Sequence, residues 1–116
     1  MIETLNDFAM LFLRRYGGKM ENIYITKHIE ENLDLRLLII VSILLEQKIS
    51  KLPKENIDYL QIFEVKNNKL LHRQEVPEQS EEYILQGNFK NIKIWAVRNE
   101  DINFNETWKI MFPEEY

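Results

Sequence analysis

The stretch IDYLQIFEVKNNKLLHRQEVPE, residues 57–78, predicts the β-hairpin around which the fold is built. Two runs rich in aliphatic and aromatic residues flank Asn67 and Asn68, and asparagine tolerates the positive φ that a two-residue hairpin turn requires. Pro77 closes the second run, because proline cannot donate a backbone hydrogen bond to a sheet. The sequence therefore predicts two antiparallel strands joined by a tight turn.

The predicted turn also decides which side chains of the hairpin share a face, because successive side chains of a strand point to opposite faces. One face carries no formal charge when His72 is neutral, and Tyr59 lies opposite Val76 at its open end. Its members are Tyr59, Gln61, Phe63, Val65, Leu70, His72, Gln74 and Val76. The other face carries Arg73, for which we expect exposed ion pairs with Glu64 and Glu75.

Three polar residues, Gln61, His72 and Gln74, lie at the middle of the uncharged face. A buried polar group without a hydrogen-bond partner costs about 1–3 kcal/mol. One interpretation is a satisfied polar network inside the sheet. The alternative is a recognition patch for a peptide or a small polar ligand, which requires a pocket beside His72.

The remaining segments predict an α+β domain, with two helices packed on a largely antiparallel sheet of about four to six strands. We expect the element order α-β-α-β-β-β-β. Beyond the hairpin, strands are predicted at residues 22–27, 91–97 and 107–112. Residues 81–86 fit either a short strand or an irregular edge segment.

Two segments have helical spacing. The first is predicted to begin at Leu5, after a Thr4 cap, and to end at Gly17-Gly18. The second is predicted at about 33–49 with Asn32 as its cap, and it is apolar on nearly every side, which is typical of a buried helix. We expect the sheet to cover one side and either the first helix or a homodimer partner to cover the other.

Composition excludes several classes of site. The 116 residues fit a single domain, 1–116, and contain no cysteine, which excludes disulfides, thiolate metal sites and a cysteine nucleophile. The only histidines, His28 and His72, have no metal-ligand spacing, and no phosphate-binding glycine loop occurs. We therefore expect no catalytic residue, no metal, no cofactor and no enzyme activity.

Charge and hydropathy limit the partners. The net charge of −4, from 15 basic and 19 acidic residues, disfavours direct binding to nucleic acid. The most apolar run, residues 37–45, is far shorter than the ~20 residues needed to span a bilayer, and the N-terminus does not resemble a signal peptide. We expect no membrane partner and a cytoplasmic location.

Two motifs indicate a family. DYLQIFEV followed by LLHRQEVPE, with Tyr83 just beyond, resembles the bacterial family known as domain of unknown function 960. YITKHIEENLDLRLLIIVSILLEQ is similar to its opening strand and helix, and MFPEEY to its C-terminal end. The resemblance covers about residues 22–116, and it implies that residues 1–21 are an N-terminal helical extension. It implies a small cytosolic protein, in some cases encoded by phages or other mobile elements, and supplies no catalytic residue.

These observations favour a non-catalytic protein-binding module of a bacterium or phage. Tryptophan and tyrosine are enriched in binding hot spots, so the candidate partner-binding aromatics are Tyr24, Trp95, Trp108 and Tyr116. Core packing is the alternative for both tryptophans. The alternative function is an acidic, phage-encoded inhibitor of a nucleic-acid machine, similar to an anti-CRISPR protein, for which PEQSEE and PEEY supply local acid.

Overall fold

The described part of the chain is an α+β fold, as the sequence predicts. The structure is a computed structural model that describes residues 22–100 and 106–116. The helix predicted to begin at Leu5 lies outside the described residues, and so does its role in covering the second helix. Within the described residues, no helix is long and apolar enough to cross a membrane.

The described residues contain one helix and one strand more than the predicted element order gives them. The helices are α1 (Lys27–Asn32) and α2 (Leu35–Lys51), with short 3-10 helices at Lys54–Asn56 and Pro113–Glu115. The strands are β1 (Ile23–Ile25), β2 (Leu60–Lys66), β3 (Lys69–Gln74), β4 (Gln79–Ile84), β5 (Ile92–Glu100) and β6 (Glu106–Met111). They form one sheet in the order β1-β6-β5-β2-β3-β4, in which β1 is parallel to β6 and every other pair is antiparallel.

Helix α1 corrects the predicted boundaries. Its segment was expected to be the end of a strand followed by a connector, but Thr26 Oγ1 accepts the backbone N–H of Ile29 and begins a helix there. Burial of Ile29 in the core holds this short helix in place. The predicted Asn32 cap is also wrong, because Asn32 ends α1. The carboxylate of Asp34 caps α2 by accepting the N–H of Arg36.

The hairpin has the predicted register. Asn67 and Asn68 have φ angles of 52° and 58°, and Phe63 pairs with His72 across β2 and β3. These positive φ values match the twist of a two-residue hairpin turn. The turn and the alternation of the strands are therefore confirmed as the sequence predicts them.

The open end of the hairpin differs from the prediction. Pairing of Tyr59 with Val76 is wrong, because β3 ends at Gln74 and Val76 is 73% exposed. Asp58 Oδ2 instead accepts the backbone N–H groups of Glu75 and Val76, at 3.2 and 3.1 Å. These two hydrogen bonds to the Asp58 carboxylate replace the predicted backbone pairing of Tyr59 with Val76.

The sheet has two faces of different character. We call the face that carries Phe63 the inner face and the face that carries Ile62 the outer face. Both described helices pack on the inner face, where the core includes Ile29, Leu37, Val41, Leu45, Phe63, Leu70, Ile94 and Ile110. The outer face has its own apolar centre, since Ile62 is only 3% exposed and Val97 and Met111 are also buried.

Candidate functional site

The three polar residues of the hairpin form one chain of hydrogen bonds on the inner face. Gln61 Nε2 donates to Gln74 Oε1 and to the backbone carbonyl of Asp58, both at 2.9 Å. This orientation leaves Gln61 Oε1 facing His72 Nε2, at 2.9 Å. A carbonyl oxygen can only accept, so His72 carries its proton on Nε2 and keeps Nδ1 as an acceptor.

Gln74 ties the network to two neighbouring segments. Its Nε2 donates to the carbonyls of Asn56 and Pro77, at 3.0 and 2.7 Å. Its Oε1 also accepts the backbone N–H of Asp58, at 3.2 Å. Every amide donor of Gln61 and Gln74 is therefore used within the fold. This geometry favours the satisfied-network interpretation for the two glutamines and leaves them no free donor for a ligand.

His72 differs from the glutamines because its ring lines a cavity. The residue is 5% exposed, and the Phe63 ring stacks on it with centroids 4.2 Å apart. A cavity of about 180 Å³ lies beside the ring, between the C-terminal half of α2 and strand β4. No described residue makes a hydrogen bond to Nδ1. The pocket that a ligand-binding role requires is therefore present beside His72.

Charged groups from two elements surround this cavity. Lys48 and Lys51 line it from α2, and Glu81, which lies directly opposite His72 in the sheet, lines it from β4. The Tyr83 hydroxyl donates to the Glu81 carboxylate and holds it in place. We call His72, Lys48, Lys51, Glu81 and Tyr83 the His72 cavity group.

Burial controls the protonation of the cavity group. Desolvation, with help from the nearby Lys48 charge, lowers the pKa of His72 to about 4, so the imidazole is neutral at pH 7. Desolvation also lowers the pKa of Lys48, against the opposing effect of Glu81. Burial and the hydrogen bond to Glu81 raise the pKa of Tyr83 to about 12. At neutral pH the His72 imidazole is therefore a neutral acceptor within the cavity group.

The partner residues of His72 were not identified from the sequence. Glu81 and Tyr83 are two residues apart in β4 and therefore lie on the same face of the sheet. The sequence did not predict that β4 pairs with β3, which is the pairing that places Glu81 opposite His72. Lys48 lies in α2, 24 residues before His72, and no local pattern links the two. Only the placement of α2 over β3 and β4 brings these side chains together.

The predicted partner-binding aromatics separate into two groups. Trp108 is 2% exposed on the inner face, where its Nε1 donates to Glu106, so its burial removes it as a surface anchor. Trp95 lies on the outer face and packs edge-on against Tyr116, with ring centroids 5.6 Å apart. Tyr24 is exposed on the same face, in register with Lys109. Core packing thus applies to Trp108, whereas Trp95 is half-buried on the outer face.

Tyr59 joins the outer aromatics and was not predicted to do so. A hydrogen bond to Tyr116 raises the pKa of the Tyr59 hydroxyl. Tyr59 and Tyr116 are both exposed, the latter at 68%. We call Tyr59, Trp95 and Tyr116 the outer aromatic patch.

The charged residues of the outer strands are mainly basic, although two acids, Asp58 and Glu75, lie near Tyr59. Arg73 pairs with Glu64 at 3.7 Å, as predicted, but the predicted pair with Glu75 is wrong, because no ion pair joins these two described residues. Lys69 pairs with Glu82 at 3.8 Å. The exposed lysines of the outer face that have no ion pair with any described residue are Lys66, Lys93 and Lys109. This face is therefore locally positive on a chain whose net charge is −4.

Comparison with protein-family models, with curated proteins and with solved structures finds no match for this chain. The resemblance to the domain of unknown function 960 stays a prediction from the sequence. In the described residues, no three histidine, aspartate or glutamate side chains are grouped to hold a metal ion. The His72 cavity group and the outer aromatic patch are the two features of the described residues that can bind a ligand or a partner.

Proposed function

We propose that this chain is a non-catalytic protein-binding module whose outer face receives an acidic surface of a partner protein. The observation that carries the proposal is the outer aromatic patch. Tyr116 packs against Trp95 and hydrogen-bonds to Tyr59, on the sheet face that the described helices leave uncovered. Tyrosine and tryptophan provide large, amphipathic contact area at low entropic cost.

The composition of the outer face matches that of a protein interface. Its centre is apolar, with Ile62, Val97 and Met111 buried, and Trp95 pairs with Ile62 on one side and Met111 on the other. Polar and charged groups surround this centre. An apolar centre with a polar rim is the usual arrangement of specific protein interfaces.

Charge decides the class of partner. Lys93 and Lys109 flank the patch and have no ion pair with any described residue, so an acidic partner gains their attraction without breaking existing pairs. A nucleic acid would also meet these lysines, but two separate lysines neutralise few of its dense phosphates, and the chain has no longer basic run than Arg14-Arg15. The proposal therefore commits to a protein with excess aspartate and glutamate at the contact.

Site-specific crosslinking in living bacteria tests this proposal. A photoreactive amino acid at position 116 should capture one reproducible protein, with crosslinks in an acid-rich segment. The same group at Glu30, an exposed residue of α1 on the helix side, is the matched control and should not capture it. Capture of nucleic acid at position 116, or equal capture at both positions, would refute the proposal.

Charge reversal gives a second test on the captured partner. The Lys93→Glu, Lys109→Glu double variant should weaken binding by about tenfold or more at low salt, since rim charges act mainly through electrostatic attraction. The matched control is Lys27→Glu, Lys90→Glu, which changes the net charge equally on the helix side. Equal weakening by both variants would indicate a net-charge effect and not a docking face.

A second candidate function has an observation of its own. The segment 75–82 carries four exposed acids, Glu75, Glu78, Glu81 and Glu82, and no basic residue. This acidic edge supports the phage-encoded inhibitor of a nucleic-acid machine. That function predicts inhibition of a basic nuclease or polymerase that weakens steeply as salt increases. Inhibition that does not depend on salt would count against an acidic mimic.

A further inference from the structure

We infer that the cavity beside His72 binds a small zwitterion, specifically an α-amino acid with a short aliphatic side chain. The inference is independent of the proposed docking face, because the cavity lies under the helices and the aromatic patch lies on the other side of the sheet. It rests on an unpartnered acceptor, two opposed charges and the volume of the cavity.

The acceptor is His72 Nδ1. The hydrogen bond from Nε2 to Gln61 fixes the ring, so Nδ1 presents a lone pair. The ring is almost fully buried, lines the cavity and has no hydrogen bond to Nδ1 from any described residue. Nδ1 itself is open to the cavity and is not a fully buried atom, so a donor supplied by a ligand can reach it. The ammonium group of an amino acid supplies such a donor.

The two sides of the cavity carry opposite charges. Glu81 lies opposite His72 on β4, and its carboxylate is oriented by the Tyr83 hydroxyl. Lys48 lies across the cavity on α2 and interacts with Glu81 electrostatically, without a direct ion pair between the two. A zwitterion fits between them, with its ammonium toward Glu81 and His72 and its carboxylate toward Lys48.

The volume limits the size of this ligand. The cavity of about 180 Å³ is well below the ~300–1,000 Å³ of pockets for drug-sized molecules, so most of a nucleotide would lie outside it. Water occupies about 30 Å³ per molecule, so the space corresponds to roughly six waters or one small amino acid. Leu44 and Leu52 form part of the wall, and they favour an aliphatic side chain over a charged one.

Titration of the labelled full chain tests the inference. L-leucine should produce saturable NMR shifts at the His72 ring and at Glu81. Isovaleric acid lacks the ammonium and isoamylamine lacks the carboxylate, so each should bind at least about tenfold more weakly, a loss of about 1.4 kcal/mol. No saturable shift with leucine, or equal binding of all three compounds, would overturn the inference.

Two variants test the assigned charges without disturbing the core. Glu81→Gln and Lys48→Met should each weaken leucine binding by about tenfold or more, the loss expected for one charge-assisted contact. Glu82→Gln and Lys66→Met are matched controls on the outer face and should bind leucine as the unchanged chain does. Trp95→Ala should also leave leucine binding unchanged, which separates this site from the docking face. Equal effects of the site and control variants would overturn the assignment.

Discussion

Gln61 and Gln74 are joined across β2 and β3 by a hydrogen bond of 2.9 Å between two buried amides. The bond continues in one direction to His72 and in the other to the carbonyls of Asn56 and Pro77. One pair of glutamines therefore links the hairpin to the connector before β2 and to the turn after β3. Removing either side chain leaves buried groups of its neighbours without a partner.

We expect the two glutamines to be energetically coupled. Gln61→Leu and Gln74→Leu should each lower the free energy of unfolding by about 1–3 kcal/mol or more, because each leaves buried partners unpaired. The double variant should lose less than the sum of the two, with an interaction energy of about 0.5–3 kcal/mol. Urea denaturation of the unchanged chain, the two single variants and the double variant measures this interaction energy. Gln86→Leu, at an exposed position, is the control and should change little; additive losses would argue against the network.

His72 should make stability depend on pH. Its folded pKa of about 4 lies below the unfolded value of about 6.5, so the unfolded chain binds more protons between these values. The free energy of unfolding should therefore fall by about 2 kcal/mol between pH 7.5 and pH 5, and should fall further toward pH 4.

Variants of the two histidines separate the contribution of His72 to this pH dependence from that of the other titrating groups. His72→Gln should lose most of the decrease between pH 7.5 and pH 5, measured by urea denaturation at each pH. His28→Gln, which removes the exposed histidine of α1, should keep it. A decrease of equal size in all three chains would assign it to carboxylates instead of to His72.

Asp58 should stabilise the open end of the hairpin. Asp58→Ala removes the acceptor of the Glu75 and Val76 N–H groups, and it should lower the free energy of unfolding by about 1–2 kcal/mol. Asp58→Asn keeps an acceptor oxygen and should recover most of the loss. Thermal and urea denaturation measure both variants. A loss as large for asparagine as for alanine would show that the negative charge matters more than the hydrogen bonds.

Local signals explain which parts of the fold the sequence predicts. The hairpin register depends on strand alternation and on Asn67 and Asn68, all of which are encoded within a few residues. The α+β class, which is also confirmed, was predictable because helical spacing and strand alternation are likewise encoded within short segments. The errors arise where a side chain competes with the backbone: Asp34 caps α2 in place of Asn32, and Asp58 replaces the pairing of Tyr59 with Val76.

The candidate sites depend on contacts between distant parts of the chain. His72 was singled out from the sequence, but Lys48 becomes its neighbour only when α2 crosses the sheet. Likewise, the two tryptophans have similar sequence surroundings, and strand pairing alone places Trp95 on the outer face and Trp108 on the inner face. Composition could not distinguish them, because both lie in alternating apolar strands.

Fluorescence quenching checks this separation of the tryptophans. In Trp95→Phe the remaining indole is the buried Trp108, so acrylamide should quench it weakly. In Trp108→Phe the remaining indole is Trp95, and quenching should be several-fold stronger because this ring lies on the outer face. Adding Tyr116→Ala to the second variant should strengthen quenching further, since it removes the ring packed at 5.6 Å. Tyr83→Phe, on the inner face, is the control; equal quenching of both tryptophans would contradict the assignment of the two faces.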